Sequence, residues 1–181
     1  MQTFDSRVLV SAAILFAMAG CATSVVTVPA DLPAPLRAPA GQTAFVEALA
    51  TGVQIYECAP KSGESPAFVW TFRAPEATLS DRSGRALGKH YAGPTWESID
   101  GSKVVGQVKA SDPGPDPAAI PWLLLTAKSS SGTGTFAQAA SIQRVKTVGG
   151  IAPTERCDAT NAAQIARVPY TATYIFYRLG P

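Results

Sequence analysis

One histidine, His90, and three cysteines are all that this chain of 181 residues holds of the side chains that most often bind metals. Zinc and copper sites draw on several imidazoles or thiolates, so neither metal is expected here. No CxxC pair occurs, which removes both the zinc ribbon and the thioredoxin-type redox centre. A GxSxG nucleophile elbow is missing as well. GTGTF has neither the lysine of a phosphate-binding loop nor the glycine spacing of a dinucleotide fingerprint. Asp112 and Asp116 in SDPGPDP do not follow EF-hand spacing and fall short of the about six to eight oxygens that calcium takes. That segment reads as a rigid, turn-rich loop placed to rim a pocket. No cofactor is indicated. Charge is sparse too: 15 basic and 13 acidic residues leave a net charge of +2. The basic residues are scattered, with no group denser than Arg82, Arg85 and Lys89, so the stripe expected of a nucleic-acid face is absent.

Long apolar runs are also lacking. The run from Val8 to Ala19 is twelve residues, too short for a helix crossing a hydrocarbon core of about 30 Å but suited to a secretory h-region. Arg7 closes a short polar n-region in which Asp5 offsets its charge. The run ends in Met18-Ala19-Gly20-Cys21, small residues before a cysteine. It resembles the lipobox of bacterial lipoprotein precursors, with Met18 where leucine is usual; in those precursors the cysteine is lipidated and becomes the mature N-terminus. Ordinary cleavage after Ala17-Met18-Ala19 is the alternative. Ala22 rather than aspartate follows Cys21, which implies sorting to the outer membrane, facing the periplasm. With Cys21 assigned to the lipid, Cys58 and Cys157 remain to pair in an oxidising compartment; two reduced thiols are the other reading. Residues 1–20 are thus expected to be a signal peptide. Residues 21–42, with prolines at 29, 33, 35 and 39, form an extended tether. Residues 43–181 form one domain, long enough to bury its own core.

From Thr43 onward the pattern is β. GVQIYEC alternates, and AFVWTFRAP places Phe68, Trp70 and Phe72 on one face. Asp81 to Gly84 marks a turn. Asp100-Gly101 between TWESI and SKVVGQVKA is a strong hairpin signal, read as a two-residue turn with both central residues at positive φ. IPWLLLTA fits a strand buried on both faces. In RVPYTATYIFYRLG, Tyr174 and Phe176 share one face while Ile175 and Tyr177 share the other, as in a central strand. Only TAFVEALA and ATNAAQIAR suit helix. The expectation is an all-β fold, a β-sandwich or small β-barrel of about eight to nine mostly antiparallel strands.

QIYEC, HYAGPTWE, IPWLLL, SIQRV followed by VGG, and YTATYIFYR resemble a family of exported bacterial and fungal proteins, the domain of unknown function 3455. The resemblance covers most of residues 43–181, and HYAGPTWE is its most specific part. It implies a secreted single domain and carries over no catalytic residue.

HYAGPTWE also holds the candidate ligand-binding residues His90, Tyr91, Trp96 and Glu97. If Gly93-Pro94 turns the chain, these fall on adjacent strands within reach of cross-strand pairing. The first reading is a membrane-tethered binding module for a glycan, a small molecule or an envelope protein, with Trp96 exposed as a stacking face. The rival is an extracytoplasmic hydrolase or isomerase using His90 with Glu97, Glu57 or Asp100 as an oriented base. A structural lipoprotein without a ligand is the third.

Overall fold

The computed structural model describes residues 26–63 and 67–180; Cys21 and the expected signal peptide, residues 1–20, lie outside the described residues. Eight strands follow one another up and down the molecule: β1 (Gln42–Pro60), β2 (Phe68–Ser80), β3 (Ala86–Tyr91), β4 (Thr95–Ser98), β5 (Lys103–Asp112), β6 (Trp122–Ser131), β7 (Ser141–Gly149) and β8 (Ile165–Leu179). Each pairs antiparallel with the next, and β8 returns to β1 to close a barrel. The closing seam is long, running from Gln42 opposite Leu179 to Glu57 opposite Ile165. Of the two architectures expected, the barrel is the one formed.

Alternation along each strand sorts side chains into two sets. The inward set packs a core that includes Leu79, Trp96, Val104, Leu125, Ile142, Tyr174 and Phe176. An eight-stranded barrel is only just wide enough for such a filling, and small residues make room for the large ones. Gly106 shows this directly: a Cβ there would lie 2.9 Å from the Trp96 ring and 3.0 Å from Leu125. One end of the barrel is packed solid by the β6–β7 connection, where Phe136 stacks on Phe176 with ring centroids 4.5 Å apart.

The outward set of β6 to β8 is apolar as well. Trp122, Leu124, Val145, Ile175 and Tyr177 would face water if nothing covered them. Val26, Leu32, Leu36 and Ala38 do so. Gln143 locks this cover in place, its Nε2 donating to the Leu36 carbonyl at 2.6 Å and its Oε1 accepting from the Tyr177 hydroxyl at 2.6 Å. The extended tether expected for residues 21–42 is therefore corrected over its described part. From residue 26 on it is folded against the barrel, because β6 and β8 carry apolar residues on both faces and need a second layer.

Three local expectations are also corrected. TAFVEALA lies within β1, where pairing with β8 along its length, joined by β2 from Leu49, and burial of Ala48 and Ala50 override its helical composition. ATNAAQIAR contributes only a 3-10 turn, Ala159–Asn161, capped by Asp158, before β8 begins. The loop at Asp100-Gly101 has three residues, not two. Ser98 N donates to Ser102 O and Gly101 N to Ser98 O, and of the central residues only Gly101 has positive φ, +81°. This is a type I turn followed by a glycine bulge. Asp100 holds it by accepting from the Ser102 amide and hydroxyl and from the Thr135 amide. Those three bonds, the Ser102 hydroxyl first, keep its carboxyl well below the usual carboxylate range.

Cys58 at the end of β1 and Cys157 in the β7–β8 connection form a disulfide, with Cα atoms 5.5 Å apart and a sequence separation of 99. It lies at the end opposite Phe136 and ties the longest connection of that end to the barrel wall. Trp70 Nε1 adds a bond to the Glu155 carbonyl, 2.9 Å.

Candidate functional site

Gly93, at φ +103°, and Pro94 do turn the chain between β3 and β4. His90 then pairs with Trp96, Lys89 with Glu97 and Tyr91 with Thr95. All four candidate residues are thereby brought onto one hairpin, but alternation divides them between its faces. His90 and Trp96 point into the barrel and are 3% and 1% exposed. Tyr91 and Glu97 point outward, where the Tyr91 hydroxyl donates to Glu97 Oε2 at 2.7 Å. Lys103 and Lys89 approach the same carboxylate at 3.2 and 3.6 Å. The Tyr91 bond, then Lys103, lowers the pKa of Glu97. An oriented His90–Glu97 base is thus excluded by the sheet itself. The expected exposed stacking face is likewise corrected, since the Trp96 indole is inside.

Neither alternative carboxylate reaches His90. Glu57 pairs with Arg73 at 2.8 Å, and Asp100 is engaged in its turn at the other end of the barrel. His90 Nδ1 instead lies 2.8 Å from the Thr95 carbonyl. A carbonyl oxygen only accepts, so Nδ1 carries the proton and Nε2 is left as an acceptor. Burial holds the imidazole pKa down to about 3; the Thr95 carbonyl opposes this, and the Arg144 charge adds to it. The ring is neutral at any ordinary pH and a poor base.

What His90 and Trp96 do share is a wall. A cavity of about 360 Å³ opens at the disulfide end, and His90, Trp96, Tyr174, Gln54, Tyr56 and Arg144 are among the residues lining it. That volume lies in the range that ligand pockets occupy. Its rim is apolar: Phe72, 48% exposed, meets Tyr56 edge-on at 5.7 Å. The β5–β6 loop that holds SDPGPDP closes one side through Ile120 and Pro121. In that loop Asp112 and Asp116 accept from the amides of Gly114 and Ala118, as turn-formers do.

The polar accounting of the wall is incomplete. Gln54 Nε2, Trp96 Nε1 and the hydroxyls of Tyr174 and its neighbour Tyr170 are buried without a hydrogen-bond partner. Tyr170, Tyr174, Gln54 and Arg144 are near enough to shift one another's titration, yet these atoms do not reach hydrogen-bonding geometry. Burial pushes both tyrosine pKa values up, and Arg144 opposes it. Unpaired buried groups are uncommon and costly, roughly 1–3 kcal/mol each. Among the described residues no group of three or more metal-ligating side chains occurs.

Arg144, Gln54 and Tyr174 were not among the candidate site residues, and Tyr174 was read from sequence only as part of a central strand. Arg144 shares a strand face with Ile142 in SIQRV, so a charged residue in register with an apolar inward one was the available signal. It could be used only once the inward face of that strand was known.

Fold and site together define a closed, eight-stranded antiparallel β-barrel, packed at one end and hollow at the other. By sequence the chain belongs to the family described as a protein of unknown function (DUF3455), whose model matches residues 39–178. No curated protein and no solved structure matches it.

Proposed function

We propose that this protein is an envelope-anchored binding protein that holds a small molecule in the cavity at the barrel mouth. The observation that carries the reading is the wall itself: an apolar chamber of about 360 Å³ in which several buried polar atoms lack partners. A ligand whose entry shifts these side chains would supply those partners, in keeping with small-molecule sites that combine apolar lining with a few oriented polar groups. An enzyme is the weaker reading, since His90 is neutral and no carboxylate stands within its reach. A surface glycan site is disfavoured by the burial of Trp96. Export is supported by the h-region and by the disulfide, which suits an oxidising compartment. Anchoring through Cys21 and placement on the outer membrane rest on the sequence around Met18 to Ala22.

The test is native mass spectrometry of the full-length protein extracted from its own envelope. The reading expects a one-to-one non-covalent adduct, together with a lipid mass on Cys21 that Cys21→Ser removes. A protein that carries nothing, and whose melting temperature no compound in a broad small-molecule library raises, would overturn the binding role. Failure of labelled fatty acid to enter the wild-type chain would overturn the anchor.

A further inference from the structure

We infer that the ligand is a small organic anion, an apolar ring-sized body whose acidic head group pairs with Arg144. This rests on reading the cavity as a small-molecule site and specifies what that site selects.

The charge balance of the chamber is one-sided. Two arginines, Arg73 and Arg144, line it, and no aspartate or glutamate does. Arg73 is matched by Glu57. Arg144 is matched by no carboxylate among the described residues. Its Nε and Nη2 both donate to a single acceptor, the Pro121 carbonyl, at 3.0 and 2.9 Å. That clamp fixes the plane of the guanidinium and leaves the rest of its five-donor fork facing only the neighbouring Tyr174 hydroxyl, a neutral group that does not balance its charge. Arg144 stands opposite Tyr174 in the β7–β8 ladder, on the inward face of the barrel and partly buried. A partly desolvated, oriented guanidinium without a counter-ion is the arrangement that a carboxylate or sulfonate completes.

The remaining unpaired groups agree. Gln54 Nε2 and Trp96 Nε1 are N–H donors without partners on side chains only 2% and 1% exposed; they lie just behind the chamber surface, where an acceptor would reach them as the wall adjusts around a ligand. A fixed acceptor is His90 Nε2, freed by the Nδ1 bond to Thr95, and the Tyr174 hydroxyl can also accept. A ligand bearing one N–H or O–H besides its acidic group would satisfy it. The apolar body is indicated by Tyr56, Phe72, Val108 and Leu123 around the opening.

Two fluorescent probes differing in one group test this: 1-anilinonaphthalene-8-sulfonate, an anion, and N-phenyl-1-naphthylamine, its neutral parent. Both carry the ring body and one N–H. With the folded wild-type protein the sulfonate is expected to bind one-to-one, about tenfold or more tighter than the neutral parent, as befits a partly buried charge pair. Arg144→Met is expected to abolish that preference while leaving the neutral probe's affinity unchanged, and Arg144→Lys to retain part of it. Leu123→Trp, which fills the chamber, is expected to block both probes. If the neutral parent binds wild type as tightly as the sulfonate, the anion assignment is overturned and the cavity reading stands. If neither probe binds, or both still bind Leu123→Trp, the cavity reading falls and the inference with it. The wild-type comparison decides the matter even if Arg144→Met fails to fold.

Discussion

His90 lies flat on the Trp96 indole, ring centroids 4.4 Å apart and planes 12° from parallel, while Tyr174 meets both rings edge-on. The three form one aromatic block in the wall of the cavity, and only His90 among them titrates near neutrality in an unfolded chain. With its folded pKa near 3 against about 6.5 unfolded, the unfolded state binds the extra proton between those values. Stability is therefore complete above pH 6.5 and is lost as the pH falls toward 3, by up to about 1.4 kcal/mol per unit.

The interval from pH 6.5 to 5 isolates this effect, because carboxylates titrate lower. Urea midpoints measured across it are expected to fall for wild type and to stay nearly level for His90→Phe. A wild-type midpoint that does not change over that interval would mean that the imidazole is not held neutral by burial. His90→Ala is expected to cost about 2–4 kcal/mol at pH 7, through the space it leaves and the partner it removes from Thr95.

Gly101 sits at φ +81° with no atom within 4 Å of a would-be Cβ, so substitutions there meet backbone strain and no collision. Gly101→Val is expected to lower stability by about 1–3 kcal/mol, and Gly101→Asn by clearly less, since asparagine tolerates the left-handed region. Equal losses in the two variants, read by thermal melting, would reject the turn geometry.

The disulfide is expected to close a large loop in the unfolded chain. For the 99-residue separation, the chain-entropy model gives about 4.7 kcal/mol. Denaturation with and without reductant should differ by several kcal/mol. Intact-mass measurement after alkylation of the non-reduced protein should find Cys58 and Cys157 blocked to reagent.

Leu36 is fully buried against the outside of the barrel. Leu36→Ala is expected to destabilise by about 2–4 kcal/mol, as a core leucine would. A loss below about 0.5 kcal/mol, the size usual for surface sites, would restore the view of this segment as a free tether. Loss of the cover should also raise aggregation, because Ile175, Tyr177 and Trp122 lie beneath it.

Much of this molecule could be read without coordinates. Period-two alternation located most of the strands; Gly93-Pro94 and Asp100-Gly101 marked real turns, and setting Cys21 aside left Cys58 and Cys157 as the pair to expect in an oxidising compartment. The nearness of His90 and Tyr91 to Trp96 and Glu97 followed from the Gly93-Pro94 turn. All of these depend on neighbours in sequence or on counting, and local chemistry settles them.

What tertiary structure decided was which face of each strand is the inside. Alternation divides a strand into two sets but does not name the buried one when both contain apolar residues, as in TYIFY and PWLLL. That choice came from the pairing of β1 with β8, more than a hundred residues apart at its outer end, which closes the sheet on itself and gives it an interior. Closure put His90 and Trp96 in and Tyr91 and Glu97 out, turned Arg144 toward a cavity, and left an apolar outer face that residues 26–38 had to cover. A two-layer sandwich would have satisfied the same local pattern. The barrel was selected by long-range hydrogen bonding and by the fit of large side chains over small ones, and neither is written in any single stretch of the chain.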